Sequence, residues 1–356
     1  MDNVTHTLFA LTLARTRLGR GRRGTTAALV LASNAPDVDI VAVLGGSANY
    51  LAWHRGPTHG PLGVVGLGVL TAALVWGGTR FAPRLWGPPS GGPIRLKPDP
   101  TFIEPTFIEL SFVSIVGVLL HILMDLPTPY GTRLLSPFSW RWFAIDLMPI
   151  IDIYLWMILT AGLLAGSWRP GARQRSAAIA LALMAANYGI RVAAHQEALA
   201  KASHIYGPTL PAPCDPSAAF GSLLDSWPQA GGSRCLMDTA AIPSFGSPFA
   251  WRVIARLPDG YQEIYQDDSV WIPNQWTPLV TEAARTRTAK VVLGFSRFPL
   301  ASVFTEPSGV TTVQFTDLRF AIGLDNPQLQ GRRNALFTVT VRFGPDNQII
   351  QERLGE

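Results

Sequence analysis

Long apolar stretches alternate with short polar segments over the first 195 residues of the chain. The four clearest stretches lie at roughly 60–79, 107–126, 146–166 and 176–195. Each is close to the roughly 20 residues that a helix needs to cross a hydrocarbon core of about 30 Å. Residues 25–45 are also apolar apart from a break at Asn34 to Asp39, whereas the apolar stretch 3–14 is too short to cross as a straight helix. The pattern predicts an α-helical polytopic membrane domain.

After residue 195 the pattern changes to the two-residue alternation of β-strands. Between 337 and 343, apolar residues at odd positions alternate with Thr338, Thr340 and Arg342, and a turn at Gly344 follows. We therefore predict three regions. They are a multi-pass membrane domain at 1–195, a Pro-rich connector with two cysteines at 196–244, and a smaller, mainly β or α+β, extramembrane domain at 245–356.

The charge distribution supports a membrane protein. Only 15% of the residues are charged, compared with about 25% in soluble domains. Arginine and lysine concentrate in loops 15–24, 80–106 and 167–175, which predicts that these loops face the cytoplasm and that the second half is exported. The net charge of +5 comes without a basic patch interleaved with aromatics, so we expect no nucleic-acid partner. Cys214 and Cys235 either form one disulfide or are two unrelated buried thiols.

This orientation brings an unusual set of ionisable side chains to the outer membrane boundary. The set comprises His6, Asp37, Asp39, His54, His59, His121, Asp125, Asp146 and Asp152. Ionisable residues in apolar runs are costly and indicate function. His121 and Asp125 are four residues apart and share one helix face. A carboxylate at a helix C-terminus faces the negative end of the helix dipole, so a nearby cation would stabilise it.

Histidines and carboxylates without cysteine suit a catalytic divalent metal, with zinc favoured, manganese or iron as alternatives, and one or two ions bound. The predicted metal ligands are His6, Asp37, His59, His121 and Asp125. The predicted bases or additional ligands are His54, Asp39 and Asp152. Arg133 and Arg55 are predicted to bind an anionic substrate or a developing negative charge. The alternatives are ordinary ones: turn or capping roles for the aspartates, and lipid anchoring for the arginines.

Several motifs carry a family resemblance. They are Met1-Asp2-x-x-Thr5-His6, Asn34-x-Pro36-Asp37-x-Asp39, His54-Arg55-Gly56-x-Thr58-His59, His121-x-x-x-Asp125, Tyr130-Gly131-Thr132-Arg133 and the segment from Asp146 to Asp152. In this order they resemble the bacterial inner-membrane metal-dependent hydrolases of the YdjM type, and the likeness extends to segments 251–253, 295–299 and 317–320. A more distant likeness is to zinc-dependent phospholipase C and the fungal single-strand nucleases, whose later histidine ligands have no counterpart in this chain. The resemblance implies a multi-pass inner-membrane protein with a metal site and hydrolase activity.

The sequence therefore predicts a membrane-bound metal-dependent hydrolase in the bacterial inner membrane, with its C-terminal domain outside the cytoplasm. Metal-activated water would attack a phosphodiester or a related small-molecule or lipid substrate at the outer surface, among membrane lipids. The alternative from another class is a cation- or proton-coupled transporter, and a third is a catalytically inactive scaffold. Against transport, the polar groups gather at one face, and the sequence shows no internal repeat of the kind found in many transporters.

Overall fold

The computed structural model describes residues 1–19, 23–81, 105–205, 214, 235–265, 268–321 and 337–355. The chain divides into two compact units, which are described separately below. The first comprises Met1–Val41 with Trp53–Val192, and the second comprises Ala42–Ala52 with Ala193–Glu356. Most of the predicted connector at 196–244 lies outside the described residues.

The N-terminal part of the chain is helical. Its α-helices are α1 (Asn3–Ala14), α2 (Thr25–Ala32), α3 (Ser47–Trp53), α4 (Pro61–Phe81), α5 (Phe107–Asp125), α6 (Ile153–Trp168) and α7 (Arg173–Ile205). Three 3-10 segments connect them, at Ala35–Gly45, Pro57–His59 and Pro170–Ala172. Thr106 and Glu109 form a capping box that fixes the start of α5.

Among the residues that the structure describes, four helical segments are long and apolar enough to cross a membrane. They are Thr25–Gly45, Pro61–Phe81, Phe107–Asp125 and Pro170–Ala202. The predicted fold class is therefore confirmed for this part, and the spans predicted at 60–79 and 107–126 agree with α4 and α5 to within two residues.

The predicted span at 146–166 is wrong at its start. The helix found there, α6, has 16 residues and begins only at Ile153, which makes it shorter than the roughly 20 residues of a straight span. Pro149 lacks the N–H group that a continuing helix needs. Asp152 then sets the first helical residue, because its side chain accepts hydrogen bonds from the backbone N–H groups of Tyr154 and Leu155. Asp146 and Asp152 therefore precede the helix.

Small residues allow the central helices to approach closely. A Cβ atom on Gly68 of α4 would lie 2.5 Å from Ile115 of α5, and one on Gly117 of α5 would lie 2.9 Å from Ala32 of α2. Side chains on apolar helix faces fill the remaining space, with Ala32, Val118 and Ile122 forming one buried cluster. Close packing of this kind is typical of membrane helices. It aligns the start of α4, the end of α5 and the end of α2.

The C-terminal part contains two four-stranded antiparallel sheets, each with its strands in sequence order. The first consists of β1 (Asp238–Pro243), β2 (Trp251–Leu257), β3 (Gly260–Tyr265) and β4 (Asp268–Pro273). The second consists of β5 (Pro299–Thr305), β6 (Thr311–Asp317), β7 (Thr338–Phe343) and β8 (Ile349–Leu354). Two short helices, α8 (Pro278–Ala284) and α9 (Arg287–Phe295), lie between them in the sequence. The predicted mainly β character of this part is confirmed.

The strand predicted from alternation is β7. Its Val339, Val341 and Phe343 are fully buried, and Thr340 and Arg342 are half-buried. The turn at 344–347 follows, where the backbone N–H of Asn347 donates to the carbonyl of Gly344. Cys214 and Cys235, left open by the sequence, are joined by a disulfide.

Candidate metal centre

Two histidines and two aspartates converge at one end of the helical part. Asp37, His59, His121 and Asp125 each offer one ligand atom, and these four atoms all lie within 4.8 Å of one another. His121 and Asp125 occupy the last turn of α5, His59 ends the 3-10 turn before α4, and Asp37 lies in the 3-10 segment after α2. The close packing of these helices therefore gathers residues that are up to 88 positions apart. The structure brings together four of the five predicted ligands.

The spacing of the ligand atoms fits a small divalent ion. Nε2 of His121 lies 3.3 Å from Nε2 of His59 and 3.2 Å from Oδ2 of Asp125, and Nε2 of His59 lies 3.4 Å from the same oxygen. Ligands at the zinc distance of about 2.0–2.1 Å in a tetrahedron are about 3.3 Å apart. Oδ1 of Asp37 is slightly farther, 3.6 Å from His121 and 3.8 Å from His59.

Hydrogen bonds orient both imidazole rings. Nδ1 of His121 lies 2.7 Å from the carbonyl oxygen of Ser33, so this nitrogen carries the proton and donates it. Nδ1 of His59 lies 3.0 Å from the hydroxyl of Thr58. Each ring therefore directs Nε2 toward the shared point, as ligating histidines do when their other nitrogen is hydrogen-bonded. Burial lowers the pKa of His59 to about 4, which keeps the ring neutral, as metal binding requires.

Asp125 lies at the C-terminus of α5, where the helix dipole disfavours a negative charge, and a cationic partner offsets this effect. Its Oδ1 lies 3.0 Å from Nη2 of Arg55 and also contacts the amino group of Met1. Its Oδ2 faces His59 and His121 and has no hydrogen bond within the described part of the chain. The two oxygens thus have separate roles: one is held by positive charge, and the other is presented to the centre.

His6 adjoins this group. Its side chain is fully buried and stacks on His121 with the ring centroids 3.9 Å apart. Nε2 of His6 lies 3.4 Å from Oδ1 of Asp125. Neither ring nitrogen of His6 makes a hydrogen bond to the residues that the structure describes. A buried polar atom without a partner costs about 1–3 kcal/mol, so the arrangement favours a ligand at this place.

Asp39 organises the loop at 54–59. Its Oδ1 lies 2.9 Å from Nδ1 of His54, and its Oδ2 accepts hydrogen bonds from the backbone N–H of Arg55 at 2.7 Å and the hydroxyl of Thr58 at 3.1 Å. Arg55 has a φ of 52°, which is uncommon outside glycine, and the bond to Asp39 holds it there. The His54–Asp39 pair resembles the arrangement in which a carboxylate orients a general base. The ring of His54 lies 6.3 Å from that of His59.

The two predicted substrate-binding arginines differ in their surroundings. The guanidinium of Arg55 is held by Asp125 and by the carbonyl of Gly131 at 2.7 Å. The guanidinium of Arg133 lies 5.1 Å from the ring centroid of Trp140 and 4.4 Å from that of Trp142. Burial lowers the pKa of Arg133 to about 10, so its charge persists at neutral pH. Arg55 therefore positions Asp125 and also lies 4.7 Å from the ring centroid of Tyr130, and Arg133 lies beside two tryptophans.

The remaining predicted acids lie outside the group of four. Asp152, predicted as a ligand or base, is fully buried in an ion pair with Arg191 at 2.8 Å and caps α6, so its contacts are those of a structural residue. Asp146 is buried in the loop before α6. We did not predict the role of Arg191. A lone arginine inside the apolar stretch 176–195 was the available signal, because such a charge needs a partner in the membrane.

Comparisons with known proteins find a family match for the helical part of the chain. A family model described as YdjM inner membrane protein matches residues 1–198, which contain the whole group of four, and the motifs at 251–320 lie outside this match. The uncharacterized protein YfhP of Bacillus subtilis (strain 168) is 26% identical over 130 residues. That alignment covers 36% of this chain and 33% of YfhP, so the chain spans about a third of this relative's length. No solved structure matches. The likeness to zinc-dependent phospholipase C stays a prediction.

Proposed function

This chain belongs to the YdjM inner membrane protein family, and we propose that it is a membrane-bound metal-dependent hydrolase acting on a phosphodiester or a related ester. The observation that carries the proposal is the convergence of Asp37, His59, His121 and Asp125 within 4.8 Å, in a membrane protein that would otherwise gain little from burying them. A divalent metal in such a site supplies Lewis acidity and acidifies water toward neutral pH.

The donor set favours zinc. Two imidazole nitrogens and two carboxylate oxygens within 4.8 Å of one another suit zinc, and manganese or iron are the alternatives. One ion accounts for these four donors. His6 is a further donor next to Asp125, and we propose it as an additional ligand.

The surrounding residues suit hydrolysis. His54 is positioned by Asp39 through its Nδ1, so its other ring nitrogen is the proposed proton acceptor. Arg133 carries a positive charge between two tryptophans, and we propose that it binds the negative charge of the substrate. Arg55 fixes the orientation of Asp125 and supports the loop that carries His54.

The location follows from the arginine-rich loops and the family. We propose a multi-pass protein of the inner membrane, with the centre and the C-terminal region on the extracytoplasmic side. Three of the four members, His59, His121 and Asp125, lie where α4 begins and α5 ends, at the ends of two candidate spans. This favours an enzyme over a transporter, because transporters bind their substrates near the midplane.

Elemental analysis of the detergent-purified full chain tests the proposal. Wild type should retain zinc, manganese or iron, and a double variant with His121→Ala and Asp125→Ala should lose it. Asp152→Asn is the matched control, because it changes a buried carboxylate of the same helical part that lies outside the group of four. Circular dichroism and gel filtration establish that each variant is folded.

Two outcomes would overturn the proposal at different points. Wild type that holds no metal, even after reconstitution with each of the three ions, would remove the metal site. Metal-replete wild type that cleaves neither phosphodiesters, phosphomonoesters nor carboxylic esters would leave a metal-binding membrane protein without hydrolase activity.

A further inference from the structure

The centre lies at the ends of two candidate membrane spans. α4 has 21 residues and α5 has 19, so at about 1.5 Å per residue each is close to the roughly 30 Å thickness of the hydrocarbon core. His59 precedes the first residue of α4 by two positions, and Asp125 is the last residue of α5. The two helices are packed neighbours through Gly68 and Ile115. Their ends therefore place the centre at the membrane boundary, beside the headgroup layer.

The open edge of the centre borders a surface that faces lipid. The side chain of Asp37 is 17% exposed, whereas those of the other three members are fully buried. Asp37 lies in the 3-10 segment Ala35–Gly45, which follows the end of α2. Around it, Val38, Ile40 and Val41 are each at least half exposed. Exposed apolar side chains of a membrane protein contact acyl chains, so the accessible edge of the group of four is next to side chains that suit lipid.

Two half-exposed tryptophans, with a buried arginine beside one of them, lie on the loops next to His54. The rings of Trp53 and Trp140 meet edge to face at 5.5 Å, and each is almost half exposed. A Cβ atom on Gly56 would lie 3.2 Å from the ring of Trp140, so the ring packs directly on the loop that carries His54. The guanidinium of Arg133 lies beside the same ring. Half-exposed tryptophans are typical of the headgroup level, and arginine is well suited to bind phosphate.

From these three observations we infer that the substrate is the phosphate ester of a bilayer lipid, which reaches the centre laterally from the membrane. Arg133 binds the lipid phosphate, and Trp53 and Trp140 hold the headgroup end of the lipid beside His54. The acyl chains lie along the apolar patch at Val38, Ile40 and Val41. A soluble phosphodiester could also bind Arg133, but it has no acyl chains to contact the apolar side chains of Val38, Ile40 and Val41. This inference rests on the proposed function and adds the substrate class and its route.

Paramagnetic relaxation tests the inference without measuring activity. The full chain is placed in nanodiscs of phosphatidylethanolamine and phosphatidylcholine, which carry no net charge, and receives less than one equivalent of Mn²⁺. Electron paramagnetic resonance reports whether the ion is bound, and the transverse relaxation of lipid ³¹P reports whether lipid phosphate comes close to it. The reference sample is the Asp37→Asn variant, in which the partly exposed carboxylate of the group of four is replaced by an amide that binds metal more weakly. A parallel sample with added inorganic phosphate tests a soluble source.

Faster lipid ³¹P relaxation in wild type than in Asp37→Asn is the expected result. Trp140→Ala, alone and combined with Arg133→Gln, should lose this enhancement. Trp168→Ala should retain it, because Trp168 is an exposed tryptophan at the last position of α6, away from the loops that carry His54 and Trp140. Bound Mn²⁺ with unchanged lipid relaxation, or enhancement of inorganic phosphate alone, would overturn the lipid inference and leave the metal site standing. Absence of bound Mn²⁺, zinc and iron would remove the proposed function, and the inference with it.

Discussion

Two regions of this chain bury charged side chains, and they differ in how completely those charges are hydrogen-bonded. In the C-terminal part, the carboxylate of Asp317 is fully buried and accepts hydrogen bonds from the guanidinium of Arg319, the shortest at 2.7 Å, and from its backbone N–H at 3.0 Å. The same guanidinium also donates to the carbonyl of Phe295. Folding alone accounts for such a pair, because each buried charge finds its hydrogen bonds within the protein.

The helical part shows the opposite arrangement. The Oδ2 atom of Asp125 faces two imidazole nitrogens without a hydrogen bond, and the ring nitrogens of His6 make none within the described residues. Partly satisfied buried polar groups are costly. For Asp317 and Asp125, completeness of hydrogen bonding, rather than burial of charge as such, separates a structural carboxylate from one that we propose to bind a metal.

The largest expected effect is on the fully paired region. Asp317→Ala leaves the guanidinium of Arg319 buried without its carboxylate, which should destabilise the fold by roughly 3–5 kcal/mol. Urea unfolding of the full chain, with hydrogen exchange of the β5, β6 and β7 amides to locate the effect, measures it. Metal content should be unchanged. A loss of metal in this variant, or no loss of stability, would contradict the distinction between the two regions.

The second effect concerns the incompletely paired region. Zinc at 100 times its dissociation constant should stabilise the protein by about 2.7 kcal/mol, because it binds the folded state alone. Thermal unfolding with zinc and with a chelator measures this shift. Asp37→Asn should abolish most of this zinc-induced shift. Asp317→Ala should lower the stability both with zinc and with the chelator, and the difference between the two conditions should remain. An equal shift in wild type and Asp37→Asn would show that zinc binds elsewhere.

A third prediction sharpens the comparison inside the helical part. Asp152 and Arg191 form a fully buried pair there, so Asp152→Asn should destabilise the protein and leave its metal content intact. The cost should lie below the roughly 3–5 kcal/mol of a broken buried pair, because the amide oxygen still caps the N–H groups of Tyr154 and Leu155. Metal analysis beside thermal unfolding measures both. Loss of metal would return Asp152 to the centre as a ligand.

The helices α4 and α5 could be predicted from the sequence because hydropathy over about 20 residues is a local property. The start of α6 could not be predicted in the same way. Apolar composition continues through 146–151, while the helix begins where Asp152 caps it. Hydropathy therefore finds the membrane segments, and hydrogen bonds of individual side chains decide where each helix begins.

The candidate site was predictable to a similar degree. Ionisable residues in apolar runs indicated a larger set of candidates that contains the group of four, because the cost of such residues in a membrane is independent of the detailed fold. The sequence assigned Asp37 to the ligands and Asp39 to the bases or additional ligands, but the partners of each residue were not predictable, because they come from distant parts of the folded chain. Asp39 meets His54 and the backbone of Arg55, and Asp37 meets His59 and His121.

The smallest expected effect tests a buried polar group that needs no ligand. Tyr261 is fully buried in the C-terminal part and donates a hydrogen bond to the carbonyl of Pro299 at 2.5 Å, and burial raises the pKa of Tyr261 to about 12. Tyr261→Phe should cost about 1 kcal/mol at pH 8, because that carbonyl loses its donor. In the unfolded chain the phenol ionises near pH 10. The stability that Tyr261 contributes is therefore complete below pH 10 and is lost as the pH rises toward 12.

Urea unfolding of wild type and Tyr261→Phe at pH 8, 10 and 11 measures this difference. The two proteins should become more alike as the pH rises, because only wild type loses the contribution of the buried phenol. A difference that stays constant across this range would mean that the phenol does not titrate differently on unfolding. If the stabilities of the two proteins converge and their metal content is unchanged, burial and one hydrogen bond explain the behaviour of Tyr261. The same two factors do not explain the buried atoms of His6 and Asp125, which lack hydrogen bonds.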